Sequence, residues 1–140
     1  KLEHSNLIYF GVRDTEEPED GFVEENKIKN YTVDEVRFRG IEKCINEAID
    51  QLYHCDVIYI SFDVDSLDCD RISRGTGTPV PRGFDIDEVV AIISSFVRTG
   101  KTACFEVVEV NPTLDDQNKM AIAAFEVLKK VTPVIEEVHA

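Results

Sequence analysis

The sequence predicts an α/β fold built on a parallel β-sheet, and three observations support it. Runs rich in β-branched and aromatic residues alternate along the 140 residues with segments whose apolar residues recur at helical spacing. The runs show no regular polar alternation, which is typical of strands covered on both faces. Helices between successive runs favour parallel strands joined by right-handed crossovers.

The first part of the chain is predicted to hold two strands and one helix. Residues 7–12 form an apolar run that indicates a buried strand, and residues 27–33 indicate a short one. Residues 13–25 are acidic and contain Pro and Gly, so they are predicted to form a loop. Asp34 is the expected N-cap of a helix that continues to Leu52.

The second part is predicted to hold two strands and two helices. Residues 57–62 indicate a central strand, and residues 63–84 a long loop. Asp85 is the expected cap of a helix that stops at Gly100. Residues 103–110 are predicted to form a third buried strand, and residues 119–131 are predicted to form the last helix. A central-type strand so near the first residue leads us to expect that the chain starts inside a larger fold.

The charge balance excludes some classes of partner. Fifteen basic and 28 acidic residues give a net charge of −13, whereas binding to phosphates requires clustered Lys and Arg. We therefore expect neither nucleic acid nor membrane as a partner. No apolar run approaches the length of a bilayer span and no export leader is evident, so a cytoplasmic location is predicted.

The cysteines and histidines do not indicate a zinc site, because they form no C-x-x-C pair and no short histidine spacing. Three cysteines lie within apolar patterns, where a reduced thiol is expected to pack as a small hydrophobic group: Cys44, Cys55 and Cys104. The histidines are expected at the surface or at edges: His4, His54 and His139.

The sequence Phe62-Asp63-Val64-Asp65 places two carboxylates where a buried strand ends. Ligands of α/β sheets bind beyond the carboxyl ends of the strands, and alternate residues of a strand share a face. Two adjacent carboxylates repel unless a cation lies between them or one is protonated. The pair thus fits Mn²⁺ or Mg²⁺ better than zinc, although one Asp capping a loop beside a solvated one remains an alternative.

Other acidic-site classes fit this stretch less well. In a calcium loop beginning at Asp63, the fifth, sixth and twelfth positions would be Leu67, Asp68 and Arg74, which lack the required glycine and glutamate. A phosphohydrolase of the haloacid dehalogenase type has Gly after its D-x-D, whereas Ser66 follows here. That enzyme class and a non-catalytic domain remain the alternatives.

Three blocks resemble the C-terminal part of the ureohydrolase superfamily, which contains arginases, agmatinases and formiminoglutamases. The central block spans residues 61–83, where residues 61–68 read S-F-D-V-D-S-L-D and residues 75–83 contain G-T-G-T-P-V and a final Gly. Residues 106–114 contain E-V-N-P, and residues 11–14 read G-V-R-D. The blocks occur in family order, and the resemblance is closest to arginases.

The resemblance implies a three-layer αβα parallel sheet of the arginase type, of which residues 1–140 would be an incomplete C-terminal portion. It implies that Asp63 and Asp65 ligate two Mn²⁺ ions, which activate a bridging water to attack a guanidinium carbon. By the same resemblance, Thr78 lies beside the guanidinium and Glu109 pairs with its N–H groups.

The remaining expected roles are substrate contacts and loop shape. The resemblance assigns Asp14 and Glu16 to the loop that holds the rest of the substrate. Four residues are expected to shape loops: Asp68, Gly77, Pro79 and Asn111.

The sequence also departs from the family pattern. Glu106 stands where arginases usually have Asp, and the 140 residues contain no D-x-H-x-D, the block that carries further ligands in the family. We therefore expect two Mn²⁺ ions only in a longer protein, and weak metal binding without urea formation by this chain alone. The substrate, a small guanidino or amidine compound, is left open among arginine, agmatine, formiminoglutamate and guanidino acids. The family implies a homotrimer or homohexamer for the longer protein.

Overall fold

The computed structural model describes residues 2–140, and the chain divides into two compact units, Lys1–Cys55 and Asp56–Ala140. Each unit contains one pair of parallel strands with helices. The parallel pairing and the alternation of strands and helices confirm the predicted α/β class.

In the first unit, β1 (Ile8–Phe10) pairs in parallel with β2 (Lys29–Tyr31). Three helices complete the unit: α1 (Glu17–Glu25), α2 (Val33–Arg39) and α3 (Ile41–Gln51). The Phe10 and Tyr31 rings stack at 4.9 Å between centroids. The buried apolar side chains include Val36, Cys44 and Ala48.

The loop predicted over residues 13–25 was wrong, because its second half is helix α1. Pro18 lies in the first turn, where its missing N–H removes no helical hydrogen bond. The Glu19 side chain accepts a 2.9 Å hydrogen bond from the Glu16 N–H, and acidic residues in the first turn favour the helix dipole. Local capping therefore forms a helix that apolar periodicity does not reveal.

The single helix predicted from Asp34 to Leu52 was also wrong, because Gly40 interrupts it with φ of +91°. Such a φ is open to glycine and strained for other residues. The cap is Thr32 rather than Asp34, since the Thr32 hydroxyl accepts from the Glu35 N–H at 3.1 Å. Asp34 lies instead in the first turn of α2.

In the second unit, β3 (Ile58–Asp63) pairs in parallel with β4 (Thr102–Val108), and Asp63 lies opposite Val108. Helix α4 (Ile86–Val97) packs against α5 (Lys119–His139). Asp85 caps α4 as predicted, accepting from the Glu88 N–H at 2.9 Å. The helix ends three residues before Gly100, and α5 continues past the predicted end through Pro133 to His139.

The β3–β4 sheet is less covered than predicted. Tyr59 is 60% exposed, and Ala103 and Cys104 of the expected buried strand are also exposed. Cys104 therefore does not pack as a small hydrophobic group, because it points to the same uncovered side as its register partner Tyr59. Cys44 is buried as predicted and Cys55 is half-buried.

The three histidines are exposed, as predicted. In the part of the chain that the structure describes, no helix combines the length and the apolar character needed to cross a membrane.

Candidate functional site

The two predicted carboxylates lie at the carboxyl end of β3. Asp63 is the last residue of the strand, and Asp65 lies in the short 3-10 turn Val64–Ser66 that follows. The Asp63 side chain accepts from the Asp65 N–H at 3.0 Å, and the Ser66 hydroxyl donates to the Asp63 carbonyl at 2.6 Å. The turn therefore holds both carboxylates near the end of the sheet.

The Asp63 carboxylate is electrostatically disfavoured. Its pKa is raised to about 6, chiefly by burial and also by the nearby carboxylates of Asp65 and Glu109, against a lowering by the Asp65 N–H. The charged form would be favoured by a bound cation, since an opposite charge nearby lowers the pKa of a carboxyl group. The arrangement thus suits a cation or a proton.

The loop after the 3-10 turn brings Thr78 to the acidic pair. The Thr78 hydroxyl donates to Asp65 Oδ2 at 2.7 Å, although the two residues are 13 positions apart. A Cβ built on Gly77 would lie 3.8 Å from Glu109 Oε2, so the loop backbone also passes close to Glu109. Asp65, Thr78 and Glu109, which were predicted from separate motifs, are brought together by this loop.

Glu109 follows the end of β4 with an unusual backbone conformation. Its φ is +66°, in the left-handed region that costs non-glycine residues free energy. Such residues cluster at binding and catalytic sites. With this backbone conformation, the exposed Glu109 side chain places its carboxylate beside Gly77 of the long loop.

Backbone pairing fixes the base of the long loop. Ser66 O accepts from the Phe84 N–H at 2.9 Å, and Phe84 O accepts from the Asp68 N–H at 3.0 Å. A Cβ on Gly83 would lie 2.4 Å from the carbonyl carbon of Leu67, so a larger residue does not fit there. The glycine permits the two ends of the loop to pair directly.

The other predicted loop residues occupy distinct places. Asp68 is buried and accepts through Oδ1 from the Asp70 N–H at 3.0 Å. Pro79 is half-buried next to Thr78. The Asn111 N–H donates to Gly75 O at 2.9 Å, which joins the loop to the chain leaving β4.

The two other predicted substrate residues lie in the first unit, Lys1–Cys55. Asp14 is exposed and has φ of +60°. Glu16 is exposed at the start of α1, where it is the residue before the first helical turn.

Two groups of polar contacts were not predicted. The Ser61 hydroxyl donates to Glu106 Oε1 at 2.8 Å, and hydrogen bonds with Tyr59 and Ser61 lower the pKa of Glu106. This contact could not be predicted from the sequence, because it depends on the register that places Ser61 of β3 opposite Glu106 of β4. Asp115 accepts several hydrogen bonds from other segments, and its sequence signal is that it ends the E-V-N-P-T-L-D stretch of residues 109–115.

The donor set was tested against a divalent metal ion. Carboxylate oxygens are ligands that Mn²⁺ and Mg²⁺ favour, so Asp63 and Asp65 fit as ligands. Among residues 2–140, however, no group of three or more His, Cys, Asp and Glu side chains is arranged to hold a metal ion. The described residues fit part of a metal site and not a whole one.

Acidic residues beyond the carboxyl end of a parallel strand, with a long loop folded over them, occupy the position where ligands bind in α/β sheets. The Arginase family model matches residues 1–132. Arginase from Bacillus subtilis is 34% identical over 131 residues, which cover 94% of this chain and 44% of that protein. The chain belongs to the arginase family.

Solved structures agree with this family. The crystal structure of Bacillus subtilis arginase superimposes with a TM-score of 0.84 and 33% identity, covering 93% of this chain and 44% of that one. Formimidoylglutamase from Bacillus subtilis gives a TM-score of 0.86 at 26% identity, covering 95% of this chain and 42% of that one. The predicted arginase-type fold, as a partial portion, is thereby confirmed, and the family match does not support the phosphohydrolase alternative.

The chain spans less than half the length of these relatives.

Proposed function

We propose that residues 1–140 are the C-terminal part of the catalytic domain of a manganese-dependent ureohydrolase. The longer protein would hydrolyse a guanidino or amidine C–N bond, and by its arginase-like motifs would convert arginine to ornithine and urea. The observation that carries the proposal is the hydrogen bond from Thr78 to Asp65 beside Glu109, which joins the motifs in one acidic site.

Asp63 and Asp65 are proposed to hold part of a pair of Mn²⁺ ions. Burial and, to a smaller extent, the nearby carboxylates raise the pKa of Asp63, and a bound cation would favour its charged form. Manganese supplies the acidity that lets a bound water lose a proton near neutral pH. The further ligands would come from residues outside this chain.

Thr78 and Glu109 are proposed to position the substrate. A carboxylate can accept two parallel hydrogen bonds from a planar guanidinium, and Glu109 presents an exposed carboxylate beside Gly77. The Thr78 hydroxyl already orients one Asp65 oxygen and lies on the loop that passes Glu109. The guanidinium would thus lie between the loop and the acidic pair.

The identity of the substrate depends on groups far from the guanidinium. Asp14 and Glu16 are proposed to contact an amine or another polar group of the substrate. Arginine, agmatine, formiminoglutamate and guanidino acids differ in these groups, so a panel of the four distinguishes them. A cytoplasmic location and a trimeric or hexameric assembly stay predictions for the longer protein.

A chimera tests the function. The matching segment of Bacillus subtilis arginase would be replaced by residues 1–140. With Mn²⁺ present, the amide product of each candidate substrate would be measured, which is urea for the guanidino compounds and formamide for formiminoglutamate. We expect manganese-dependent turnover of at least one of them. The matched controls are Asp63→Asn and Asp65→Asn, which are expected to reduce activity at least about a hundredfold because a lost metal ligand impairs binding and chemistry together.

The isolated chain supplies a second test. We expect weak Mn²⁺ binding that Asp63→Asn abolishes, and no urea formation from arginine. Full occupancy by two ions in the isolated chain would contradict the proposed division of the ligands. A folded chimera that binds Mn²⁺ and releases no amine from any of the four substrates would contradict the proposed reaction.

A further inference from the structure

Asp115 joins the long loop of the second unit to the first turn of α5. Its Oδ1 atom accepts from the Ser73 hydroxyl at 2.9 Å and from the Met120 N–H at 2.8 Å. Its Oδ2 atom accepts from the Ala121 N–H at 3.0 Å. One carboxylate therefore binds the long loop and the first turn of α5 at the same time.

The loop lies directly against this carboxylate. A Cβ built on Gly75 would be 2.5 Å from Asp115 Oδ1, and Gly75 is buried. The Gly75 N–H also donates to the Ser73 hydroxyl at 3.0 Å, which itself donates to Asp115. The close approach and the chain of hydrogen bonds fix the backbone at Gly75.

Gly75 in turn connects to both sides of the candidate site. Its carbonyl accepts from the Asn111 N–H at 2.9 Å, two residues after Glu109. Along the loop, Gly75 precedes Thr78, whose hydroxyl holds Asp65. Asp115, the last residue of the E-V-N-P-T-L-D stretch that begins at Glu109, is thus linked through Gly75 to the loop that carries Thr78.

The charge state of Asp115 suits this role. Burial raises its pKa, but hydrogen bonds from the Ala121 and Met120 N–H groups and the Ser73 hydroxyl outweigh burial, so the net pKa is lowered. The carboxylate is therefore ionised at neutral pH and accepts all three hydrogen bonds. Hydrogen bonds to charged groups are stronger than those between neutral groups.

We propose that Asp115 is a positioning residue that holds the Ser73–Thr78 loop and the exit of β4 in register, so that Thr78 and Glu109 face the same acidic pair. Its importance for turnover rests on the proposed function, whereas its effect on the loop can be measured without it. A helix cap alone would stabilise α5 and leave the loop unchanged. The two roles can therefore be separated.

The test uses the isolated chain and three variants. Ser73→Ala removes the loop side of the contact and leaves the bonds to Met120 and Ala121. We expect amide exchange at Gly75 and Asn111 to accelerate roughly tenfold, about the loss of one hydrogen bond to a charged group, with Met120 and Ala121 unchanged. The Thr78 methyl resonance is expected to shift or broaden.

Asp115→Ala is expected to accelerate exchange at all four amides, and Asp115→Asn to restore part of the loop protection because its carbonyl oxygen can still accept from Ser73. The matched control is Asp116→Ala, since Asp116 is exposed and pairs with Lys119 rather than with the loop. This control should leave the exchange and the Thr78 signal unchanged.

The proposal is overturned if Ser73→Ala leaves exchange at Gly75 and Asn111 at the wild-type rate. It is also overturned if Asp115→Ala affects only Met120 and Ala121, since Asp115 would then be a helix cap alone. In the chimera, Ser73→Ala should raise KM and lower kcat. A chimera without ureohydrolase activity would contradict the proposed function and leave the exchange result standing.

Discussion

Two acidic clusters in this chain have opposite electrostatic character. In the first unit, Glu35 accepts hydrogen bonds from Lys29 Nζ at 2.8 Å and from Arg39 at 2.6 Å. In the second unit, Asp63 lies near Asp65 and Glu109. The pKa of Glu35 is lowered, chiefly by the Lys29 hydrogen bond and against the effect of burial, whereas burial and like charges raise the pKa of Asp63.

The difference separates an acid that accepts hydrogen bonds from basic side chains from acids that lie beside other acids. Glu35 has its cationic partners within the chain, and Arg39 extends the network to Glu47 at 2.5 Å. The Asp63 site retains a cost that a cation from outside would remove. Perturbed carboxylates of the second kind favour a functional site over a structural ion pair.

The substitution with the largest expected effect is at Gly83, where the two ends of the long loop pair beside the acidic site. Gly83→Ala is expected to reduce the free energy of unfolding by about 3 kcal/mol, because its Cβ would overlap the Leu67 backbone. Denaturant unfolding measures it. The control is Gly21→Ala in the first unit, where a Cβ meets nothing within 4 Å and the helix should gain about 0.5 kcal/mol. Equal effects of the two substitutions would contradict the close contact at Gly83.

The next largest effect is expected from a substitution that breaks the ion pairs of Glu35. Glu35→Gln is expected to reduce the free energy of unfolding at pH 7 by about 1.5 kcal/mol, because Lys29 and Arg39 lose a charged acceptor. The folded pKa of Glu35 lies below 4.5, so this stability is present above that pH and is lost as pH falls through the lowered value. The difference between wild type and variant should therefore shrink in acid; a constant difference from pH 7 to pH 3 would argue against the ionic contribution.

The cluster around Asp63 should respond with the opposite sign. In the absence of metal, Asp63→Asn is expected to increase the free energy of unfolding at pH 7 by on the order of 1 kcal/mol after solvent screening. The folded pKa near 6 exceeds the ordinary value of 3.8, so the destabilisation grows as pH rises from about 4 to about 6 and is absent in stronger acid. Thermal unfolding at pH 3.5 and pH 7.5 measures it. Destabilisation at pH 7.5 would show that Asp63 has a compensating partner.

The smallest effect concerns the strained backbone at the site. Glu109→Gly is expected to stabilise the metal-free chain by about 0.5 kcal/mol, the relief of left-handed strain less the added flexibility of glycine. The control is Lys27→Gly in the first unit, which has φ of +53°. Only the gain from Glu109→Gly should fall with added salt, because only that change removes a carboxylate from the cluster around Asp63. The same salt dependence in both variants would contradict this.

Much of the fold could be predicted because local chemistry dictates it. The strand before Asp63 follows from β-branched and aromatic residues, and the cap at Asp85 follows from an acid before an apolar helix. Helix α1 was missed because its stability comes from Pro18 and acidic capping rather than from an apolar face. Gly40 was missed because helical spacing continues across it.

The sequence alone determined the acidic pair at the end of β3 and the three family blocks, because motif residues and their spacing are encoded locally. The arrangement of those motifs was decided by tertiary structure. The Thr78 contact with Asp65, the approach of the loop to Glu109 and the Ser73 contact with Asp115 all join residues distant in sequence. These contacts form because Gly83 lets the Leu67 backbone approach closely and Gly75 lets the Asp115 carboxylate approach closely, so that the loop can close. This close packing is a property that residue spacing does not encode.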